Sequence, residues 1–315
     1  MSTKITVIGA GSVGAAITND IMVQGIASEV VLIDINKEKA MGEALDVYQG
    51  APFCSPAIIR SGDYEDAMGS NIVIITSGVP RKPGQSRLEL AQTNVNILKS
   101  ITPQIVKYAP DAVYILVSNP VDILTYVFTK ISGIPENRIL GSGTVLDTSR
   151  LQSELAKRFC ISPKNVHAHV YGEHGDSSFV PWSLATIANN KIDEYKYHVA
   201  NSERIRWNSN YQEIEDFVKT SGAQVIKCKG ATFYAVAISV CHICKCILNG
   251  SGTALTVSTM MHGEYGVEDV CLSTLALVGS DGVQTKITTP LTEEETAKMQ
   301  LSAQKLREII DGLEI

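Results

Sequence analysis

Lys4-Ile5-Thr6-Val7-Ile8-Gly9-Ala10-Gly11-Ser12-Val13-Gly14, near the start of the chain, is the stretch that decides the fold. A short apolar, β-branched run leads into three glycines with the spacing GxGxxG, and a helical pattern follows to about Gly25. A second strand pattern, Glu29 to Ile33, then ends at Asp34. A strand, a glycine turn, a helix and a second strand that ends at an acidic residue form a unit typical of dinucleotide binding.

The residues of this glycine turn have predicted roles in holding a dinucleotide. Gly9 permits the tight turn, Gly11 lets the backbone approach a pyrophosphate, and Gly14 allows close packing of the helix on the strand. Val13 lies in the first turn of the helix, where free N–H groups would bind the phosphates. Asp34 is placed to accept hydrogen bonds from both ribose hydroxyls, and its charge would repel a 2′-phosphate, so NAD is expected rather than NADP. The alternative is a glycine turn that binds no ligand.

Two further strand patterns place polar residues at the same edge of the predicted sheet. One runs from Asn71 to Thr76 and is followed by Gly78, and the other runs from Ala112 to Ser118 and ends at Asn119. Strands that alternate with helical patterns predict a parallel sheet with helices on both faces. Ligands bind beyond the carboxyl ends of such strands, so Thr76, Gly78 and Asn119 are predicted to join the cofactor residues in one crevice.

Gly141-Ser142-Gly143-Thr144 marks a predicted domain boundary. The fold class is α/β, with a Rossmann-type parallel-sheet domain at residues 1–143 and a smaller α+β substrate domain at residues 144–315. The elements predicted in the second domain are a helix from Asp147 to Phe159, a strand from Val166 to Val170, a turn and helix start between Lys219 and Lys229, a buried helix from Ala231 to Leu248, strands at Thr253–Met260 and Cys271–Val278, and a last helix that begins with a capping box, Thr292 to Glu295.

Composition limits the class of protein. The 315 residues suit two lobes, and 44% apolar with 19% charged residues is ordinary for a soluble globular protein. The net charge of −6 argues against nucleic acid or an anionic membrane as the main partner, and no apolar run is long enough to span a bilayer. A strand pattern from Lys4 leaves no room for a signal peptide, so a cytoplasmic location is expected.

The seven cysteines are odd in number and irregularly spaced, which fits a reducing compartment. Cys241, Cys244 and Cys246, with His242, resemble a metal cluster at first sight. They lie inside the apolar helix pattern, and no second ligand pair follows at zinc spacing. We therefore predict that these cysteines pack in the core and that the protein holds no metal.

Two short segments carry the residues suited to chemistry. Leu146-Asp147-Thr148-Ser149-Arg150 and Tyr171-Gly172-Glu173-His174-Gly175-Asp176 together suggest a proton-handling histidine, an orienting aspartate and an arginine that binds a carboxylate. The polar segment at residues 80–87 contains Arg81 and Arg87 and is either a solvated loop or a lid over a ligand. Simpler explanations exist for each residue: a structural histidine, an aspartate that caps its helix, and an arginine that pairs with Glu154.

Four motifs in this order resemble the NAD-dependent L-lactate/malate dehydrogenase family, over essentially the whole chain. They are Gly9-x-Gly11-x-x-Gly14, Ser118-Asn119-Pro120-Val121-Asp122, Leu146-Asp147-Thr148-Ser149-Arg150 and Gly172-Glu173-His174-Gly175-Asp176. The resemblance implies reversible hydride transfer between NAD and a small 2-hydroxy or 2-oxo acid, without metal. It also implies a homo-oligomer, a tetramer by family expectation.

The resemblance implies a role for each residue at the site. His174 would exchange the hydroxyl proton, Asp147 would orient its ring, and Arg150 would bind the substrate carboxylate with its planar guanidinium. Arg87 would polarise the substrate carbonyl oxygen. Asn119 would form hydrogen bonds near the same oxygen and the nicotinamide ribose.

The substrate is the point on which the sequence gives two answers. Arg81 occupies the lid position where the family's lactate enzymes carry glutamine and its malate enzymes carry arginine, which would pair with the second carboxylate of oxaloacetate. The Lys229–Ala235 segment, with Thr232 at a substrate-pocket position, resembles the lactate type, as does the run that ends at Ser183. We therefore expect pyruvate as the substrate and keep oxaloacetate as the alternative.

Two further hypotheses concern control by an anion and a related fold without this catalysis. Some bacterial lactate dehydrogenases are activated by fructose 1,6-bisphosphate through a histidine and an arginine, and here His167 matches the histidine but Gln152 replaces the arginine. Strong activation is therefore not expected. A nucleotide-binding protein without catalysis would show damage among the site residues, and a metal-dependent glycosidase would need ligands in the second domain. No such damage is visible, and the candidate ligands that the second domain offers are the cysteines of the apolar helix pattern.

Overall fold

The computed structural model describes residues 3–80, 84, 86–200 and 202–315. Arg81, the predicted specificity residue, lies outside these residues. The regular elements of the first half are β1 (Lys4–Ile8), α1 (Ser12–Val23), β2 (Glu29–Ile33), α2 (Lys37–Gln49), β3 (Ile58–Ser61), β4 (Ile72–Ile75), α3 (Arg87–Tyr108), β5 (Val113–Leu116), α4 (Val121–Ile131) and β6 (Ile139–Gly141). Those of the second half are α5 (Val145–Phe159), β7 (Val166–His167), β8 (Thr186–Ile187), β9 (Asn190–Lys191), α6 (Tyr211–Lys229), α7 (Tyr234–Leu248), β10 (Thr253–His262), β11 (Glu268–Gly279), β12 (Gly282–Lys286) and α8 (Glu293–Ile310).

The first six strands form a parallel sheet in the order β3-β2-β1-β4-β5-β6. This order places β1 and β4 side by side at the centre, where the chain changes direction across the sheet. Crevices beyond the carboxyl ends of strands at such a switch point are the usual ligand sites. The predicted α/β fold with a Rossmann-type parallel sheet is confirmed, and the switch point predicts where a dinucleotide would bind.

Helices cover both faces of this sheet, as predicted. Along β4, Val73 and Ile75 pack into one apolar cluster with α3, α4 and α8, while Ile72 and Ile74 pack into a second cluster with α1 and α7. All four side chains are buried, as expected for a central parallel strand. A third cluster lies between α5, α6 and the small antiparallel sheet β7-β8-β9. It supports the helix that carries Asp147 and Arg150.

Strands from the second half extend the large sheet. β10 is antiparallel to β6 through the pair Ser258 and Gly141, and β11 and β12 follow it, also antiparallel. The nine strands that the described residues contribute therefore run across the predicted boundary at residue 143 without a break. The division at residues 143 and 144 stays a prediction. The extended sheet places β10 of the second half beside β6 and close to α4 of the first half.

The structure differs from the sequence predictions at three elements. The predicted turn in Lys219–Lys229 is wrong, because these residues lie inside the single helix α6, where the Thr220 hydroxyl donates to the carbonyl of Asp216. The strand predicted to reach Val170 ends at His167, because its partner β8 is only two residues long. α7 begins at Tyr234 rather than Ala231, and it is not buried on all sides, because Tyr234 and Ile238 are exposed.

The cysteines of α7 lie on its inner side. Cys241, Cys244 and Cys246 are all buried, and Cys241 and Cys244 belong to the cluster between α1 and α7. Burial raises the pKa of the Cys241 thiol to about 12, so the thiol is a poor metal ligand. Among the described residues, no three His, Cys, Asp or Glu side chains are grouped to hold a metal ion. No helix within the described part of the chain is long and apolar enough to cross a bilayer.

Candidate functional site

The glycine turn after β1 is shaped by contacts within the protein at two of its three glycines. Gly9 has φ +109°, and a Cβ added there would lie 2.6 Å from Thr76 Oγ1. A Cβ on Gly14 would lie 1.8 Å from the Gly9 carbonyl oxygen. Gly11 is different, because a Cβ there would meet nothing within 4 Å. The protein itself does not require a glycine at position 11, which is consistent with a ligand that approaches the backbone there.

The start of α1 fits an anionic group at this open position. Gly11 is the N-cap and supplies no side-chain cap, and the first turn contains no acidic residue. Val13 is half-buried in that turn and packs against the core, so it leaves the helix end open. The positive end of the helix dipole and the N–H groups of the first turn therefore lie beside the open backbone of Gly11. A pyrophosphate suits such a position.

Asp34 holds the other side of the turn. Its Oδ2 accepts a hydrogen bond of 2.6 Å from the Ala10 N–H, and its Oδ1 accepts one of 2.8 Å from the Asn36 N–H. Each oxygen keeps further acceptor capacity, because a carboxylate has about four lone-pair sites. The carboxylate is half-exposed at the end of β2, within reach of the crevice. The residues present thus fit the pyrophosphate and ribose of NAD.

The remaining predicted cofactor residues line the same strand ends, but with different contacts. The Thr76 hydroxyl donates to the carbonyls of Ile8 and Gly9, so in this structure it braces the glycine turn. A Cβ on Gly78 would lie 3.3 Å from the side chain of Asn94. Asn119 is exposed after β5, and its peptide bond to Pro120 is cis.

Asn94 connects these segments and was missed in the sequence analysis. This residue of α3 is buried; its amide nitrogen donates to the Asn119 carbonyl at 2.7 Å, and its amide oxygen accepts from the Val79 N–H at 2.8 Å. It therefore ties the segment after β4 to the segment after β5. The signal in the sequence that could have identified Asn94 is a polar residue at a position of α3 that faces the core.

His174, Asp147 and Arg150 form one connected group. His174 Nδ1 lies 2.5 Å from Asp147 Oδ2, and Arg150 Nη1 donates to Asp147 Oδ1 at 2.8 Å. Asp147 is buried in the first turn of α5, and the His174 ring is half-buried. With Nδ1 directed at the carboxylate, the other ring nitrogen, Nε2, is the atom left to exchange a proton.

The charges of this group raise the basicity of the histidine. The Asp147 carboxylate raises the pKa of His174 to about 9, against burial, which alone would lower it. Burial opposes ionisation of Asp147, but His174 and Arg150 outweigh it and hold the pKa of this carboxyl below its usual range. The ion pair thus favours the imidazolium form, which is the form that can donate a proton.

The simpler explanations for two of these residues do not describe the structure. The N-cap of α5 is Thr144, so Asp147 does not cap its helix. Arg150 pairs with Asp147, while Glu154 pairs with Arg158 one turn further along. Arg150 also explains a glycine inside α6: a Cβ on Gly222 would lie 3.3 Å from its Nη2.

Arg87 lies at the start of α3, across from the His174 loop. The helix begins with Ser86 as N-cap and a capping box to Glu89, so the position of this first turn is well defined. The Arg87 guanidinium forms an ion pair with Asp176, two residues after His174, and both side chains are exposed. Thr232 is half-buried in the link between α6 and α7.

Asp122 is a second carboxylate at this loop, and no pattern in the sequence predicts a role for it. It lies in the first turn of α4 and is 2% exposed. Its Oδ2 accepts a hydrogen bond of 2.7 Å from the backbone N–H of His174, and its Oδ1 accepts one of 2.6 Å from the Ser258 hydroxyl. The backbone of His174 is therefore bound by one carboxylate and its ring by another.

Two protein-family models together match nearly the whole chain. Residues 3–141 match the family model described as lactate/malate dehydrogenase, NAD binding domain, and residues 144–314 match the one described as lactate/malate dehydrogenase, alpha/beta C-terminal domain. The match supports the predicted NAD cofactor, which the glycine turn and Asp34 also fit.

Full-length relatives belong to the same family. The chain is 48% identical over 312 residues to a protein named L-lactate dehydrogenase from Clostridium botulinum, covering 99% of this chain and 97% of that one. The fold of the present chain matches that of a minor L-lactate dehydrogenase from Enterococcus mundtii with a TM-score of 0.93 and 38% identity, covering 100% of this chain and 99% of that one. A lactate dehydrogenase from a Medee basin deep-sea metagenome matches with a TM-score of 0.94 and 35% identity, covering 99% of each chain. The chain therefore belongs to the lactate/malate dehydrogenase family.

Proposed function

We propose that the protein is an NAD-dependent L-lactate dehydrogenase that interconverts pyruvate and L-lactate. The observation that carries the proposal is the chain of contacts from Arg150 through Asp147 to His174, which joins a carboxylate-binding group to a proton donor. The relatives named L-lactate dehydrogenase, at 48% identity over almost the whole chain, favour pyruvate over oxaloacetate.

In this proposal the residues of the chain bind and orient the substrate and move one proton. NADH, when bound, supplies the hydride for the carbonyl carbon. His174 Nε2 donates a proton to the carbonyl oxygen during reduction and takes a proton back during oxidation. Asp147 stabilises the protonated ring, the imidazolium, through its contact with Nδ1. Arg150 keeps one N–H on Asp147 and binds the substrate carboxylate with the others.

Arg87 acts in this proposal by stabilising the charge that develops on the carbonyl oxygen. In this structure Arg87 forms an ion pair with Asp176. Both side chains are exposed, so breaking this ion pair costs little free energy. Moving the guanidinium from Asp176 to the substrate would place a fixed cation next to the oxygen. Asn119 would form a hydrogen bond near the same oxygen, and Thr232 would line the substrate pocket. Asp34, Gly9, Gly11, Val13, Gly14, Thr76, Gly78 and Asn119 would hold NAD.

Malate dehydrogenase remains the second candidate because of Arg81. A buried arginine beside the methyl group of pyruvate would be a charge without a partner, which is costly unless it stays in water. The test is to measure kcat/KM for pyruvate and oxaloacetate with NADH, side by side. A higher value for pyruvate is the expected result, and a higher value for oxaloacetate would make the protein a malate dehydrogenase.

Variants of the lid separate these two candidates further. Arg81→Gln should raise the pyruvate-to-oxaloacetate ratio if Arg81 reaches the substrate, whereas Lys82→Gln removes a neighbouring charge and serves as the matched control. Equal ratios in both variants and the wild type would mean that Arg81 does not contact the substrate.

We also propose a homo-oligomer, with a tetramer as the family expectation. α2 carries Met41, Leu45 and Tyr48 at 58%, 54% and 48% exposure, an apolar ridge that a monomer would leave in water. A cavity of about 500 Å³ between α5, α7 and β10, with Ile238 exposed at its edge, offers a surface of the same character. Leu45→Glu should lower the mass measured by sedimentation, while Asp46→Asn, next to it, should not.

Two finer points remain proposals. A cytoplasmic location is favoured by the seven cysteines, all of them free. Weak control by fructose 1,6-bisphosphate is expected because Gln152 donates its amide N–H to the Ala168 carbonyl at 3.2 Å and brings no charge near His167. Rates with and without that sugar phosphate would test the second point.

A further inference from the structure

Asp122 joins three elements that are far apart in the sequence. It lies in the first turn of α4, its Oδ2 accepts from the backbone N–H of His174, and its Oδ1 accepts from the Ser258 hydroxyl on β10. Ser258 is fully buried and pairs with Gly141 across the junction of β6 and β10. The carboxylate therefore sits where the His174 loop meets the large sheet.

We propose that Asp122 is a positioning residue for His174: it anchors the backbone of the proton donor from behind and adds a negative charge that favours the imidazolium form. Asp147 likewise fixes the ring of His174 through Nδ1 and adds a second negative charge. The inference rests on the proposed function, because it concerns how His174 is kept ready to donate a proton. A histidine bound at both its ring and its backbone N–H keeps its Nε2 in a constant direction.

The hydrogen bonds alone do not explain a charged group at this position. An asparagine could accept from the His174 N–H with its oxygen and donate to the Ser258 hydroxyl with its amide nitrogen, so both partners would remain satisfied. Burying a carboxylate instead costs free energy, and burial raises the pKa of Asp122 to about 6. The additional effect of the negative charge is an attraction on the neighbouring imidazolium of His174, which a neutral amide would lack.

Charged and titratable groups face Asp122 from the His174 loop and from β11. The loop contributes His174, which favours the ionised form of Asp122, and Glu173, which opposes it. From β11, the buried thiol of Cys271 faces the carboxylate, with a pKa raised first by burial and then by Asp122. From α5, Asp147 and Arg150 act on His174 itself. Among the described residues that act on Asp122, the positive charge is thus the imidazolium of His174.

The first experiment compares wild type, Asp122→Asn and Ser258→Ala by the pH profile of kcat for pyruvate reduction. Asp122→Asn keeps the shape and both hydrogen bonds but removes the charge, so the alkaline limb should move to lower pH by about half a unit or more. Ser258→Ala removes one bond to the carboxylate but leaves the charge, so its limb should stay where the wild-type limb is.

The anchoring part of the proposal is tested by Asp122→Ala. Loss of the backbone anchor should lower kcat by about 100-fold, because small displacements of a proton donor are costly, while the Kd for NADH stays within about twofold. Asp122→Asn should recover most of that loss in kcat at low pH. Equal kcat in Asp122→Ala and wild type would overturn the anchor, and coincident alkaline limbs in Asp122→Asn and wild type would overturn the effect of the charge.

A measurement without turnover keeps the inference separate from the proposed function. The chain has six histidines, so ¹⁵N-histidine labelling gives a small set of resonances in which His174 can be assigned. In the wild type its backbone amide should follow a titration near pH 6, and its ring should titrate at lower pH in Asp122→Asn. Wild type that fails to reduce pyruvate would refute the proposed function alone. An amide whose chemical shift is the same at every pH below the titration of the His174 ring would refute the role of Asp122, even if no variant folds.

Discussion

Replacing Asp122 by asparagine should stabilise the folded protein at neutral pH while it moves the alkaline limb of kcat to lower pH. The reason is that the carboxyl is buried and its pKa is raised from 3.8 to about 6, so the ionised form is less favourable in the folded state than in the unfolded state. A raised carboxyl pKa adds stability below pH 3.8, and that stability is lost as the pH rises through about 6. Above about pH 6 the folded wild type therefore bears the full free-energy cost of a buried, ionised Asp122.

The magnitude follows from the pKa shift. The pKa of Asp122 lies about 2 above its ordinary value, and a pKa difference of one corresponds to about 1.4 kcal/mol, so the cost of the ionised form above pH 6 is about 3 kcal/mol. The amide retains the bonds to His174 and Ser258, so the variant should lose little in exchange. We expect the free energy of unfolding of Asp122→Asn to equal that of the wild type near pH 4 and to exceed it by about 1–3 kcal/mol at pH 8.

Urea unfolding at a series of pH values, at one fixed protein concentration, provides the assay, because an oligomer's stability depends on concentration. Ser258→Ala is the matched control: it loses a buried hydrogen bond that lowers the pKa of the same carboxyl, so it should be destabilised by about 1 kcal/mol at pH 4 and by more at pH 8, the opposite trend to Asp122→Asn. A difference between Asp122→Asn and wild type that does not grow between pH 4 and pH 8 would refute the reasoning. So would a variant less stable than wild type at pH 8.

Four further predictions concern the site itself. His174→Ala should lower turnover by on the order of 10²- to 10⁴-fold with nearly unchanged NADH binding, measured by fluorescence titration; retained turnover would exclude its role as proton donor. Because the pKa of His174 is raised to about 9 chiefly by Asp147, pyruvate reduction should decline only as the pH rises through about 9, and Asp147→Asn should move that decline toward the ordinary value near 6.5. Gly11→Ala should weaken NADH binding without changing thermal stability, whereas Gly14→Ala should cost about 1–3 kcal/mol or more, because its Cβ meets the Gly9 carbonyl; equal losses of stability would contradict the ligand-facing role of position 11. Asp34→Ala should reduce the preference for NADH over NADPH by about tenfold or more, seen in kcat/KM with each cofactor; an unchanged preference would leave Asp34 without a role in the choice.

Much of the nucleotide half could be predicted because its signals are local. The glycine turn, the strand before it and Asp34 lie within about thirty residues of each other, and their spacing carries the geometry. The contact between His174 and Asp147 was also expected, but only by resemblance to a family. No periodicity in the sequence brings those two residues together.

The features that were missed depend on contacts between distant residues. Thr220 and Gly222 read locally as a turn, yet they lie inside α6, where Gly222 leaves room for the guanidinium of Arg150. Asp122 reads as an ordinary acidic residue in the first turn of a helix. Its importance comes from a loop 52 residues later and a strand 136 residues later, and neither partner has a pattern that points back to it.

The extension of the parallel sheet by β10 has a consequence for how the protein folds. The pairing of Ser258 with Gly141 and the bond from Ser258 to Asp122 close loops of more than one hundred residues. Closing long loops is slow, and contacts of high sequence separation form late. A nascent chain can complete the glycine turn early, but it cannot assemble the His174 site until β10 has left the ribosome and joined β6. Catalytic competence should therefore be the last property that the folding chain acquires, and a refolding experiment should recover NADH binding before turnover.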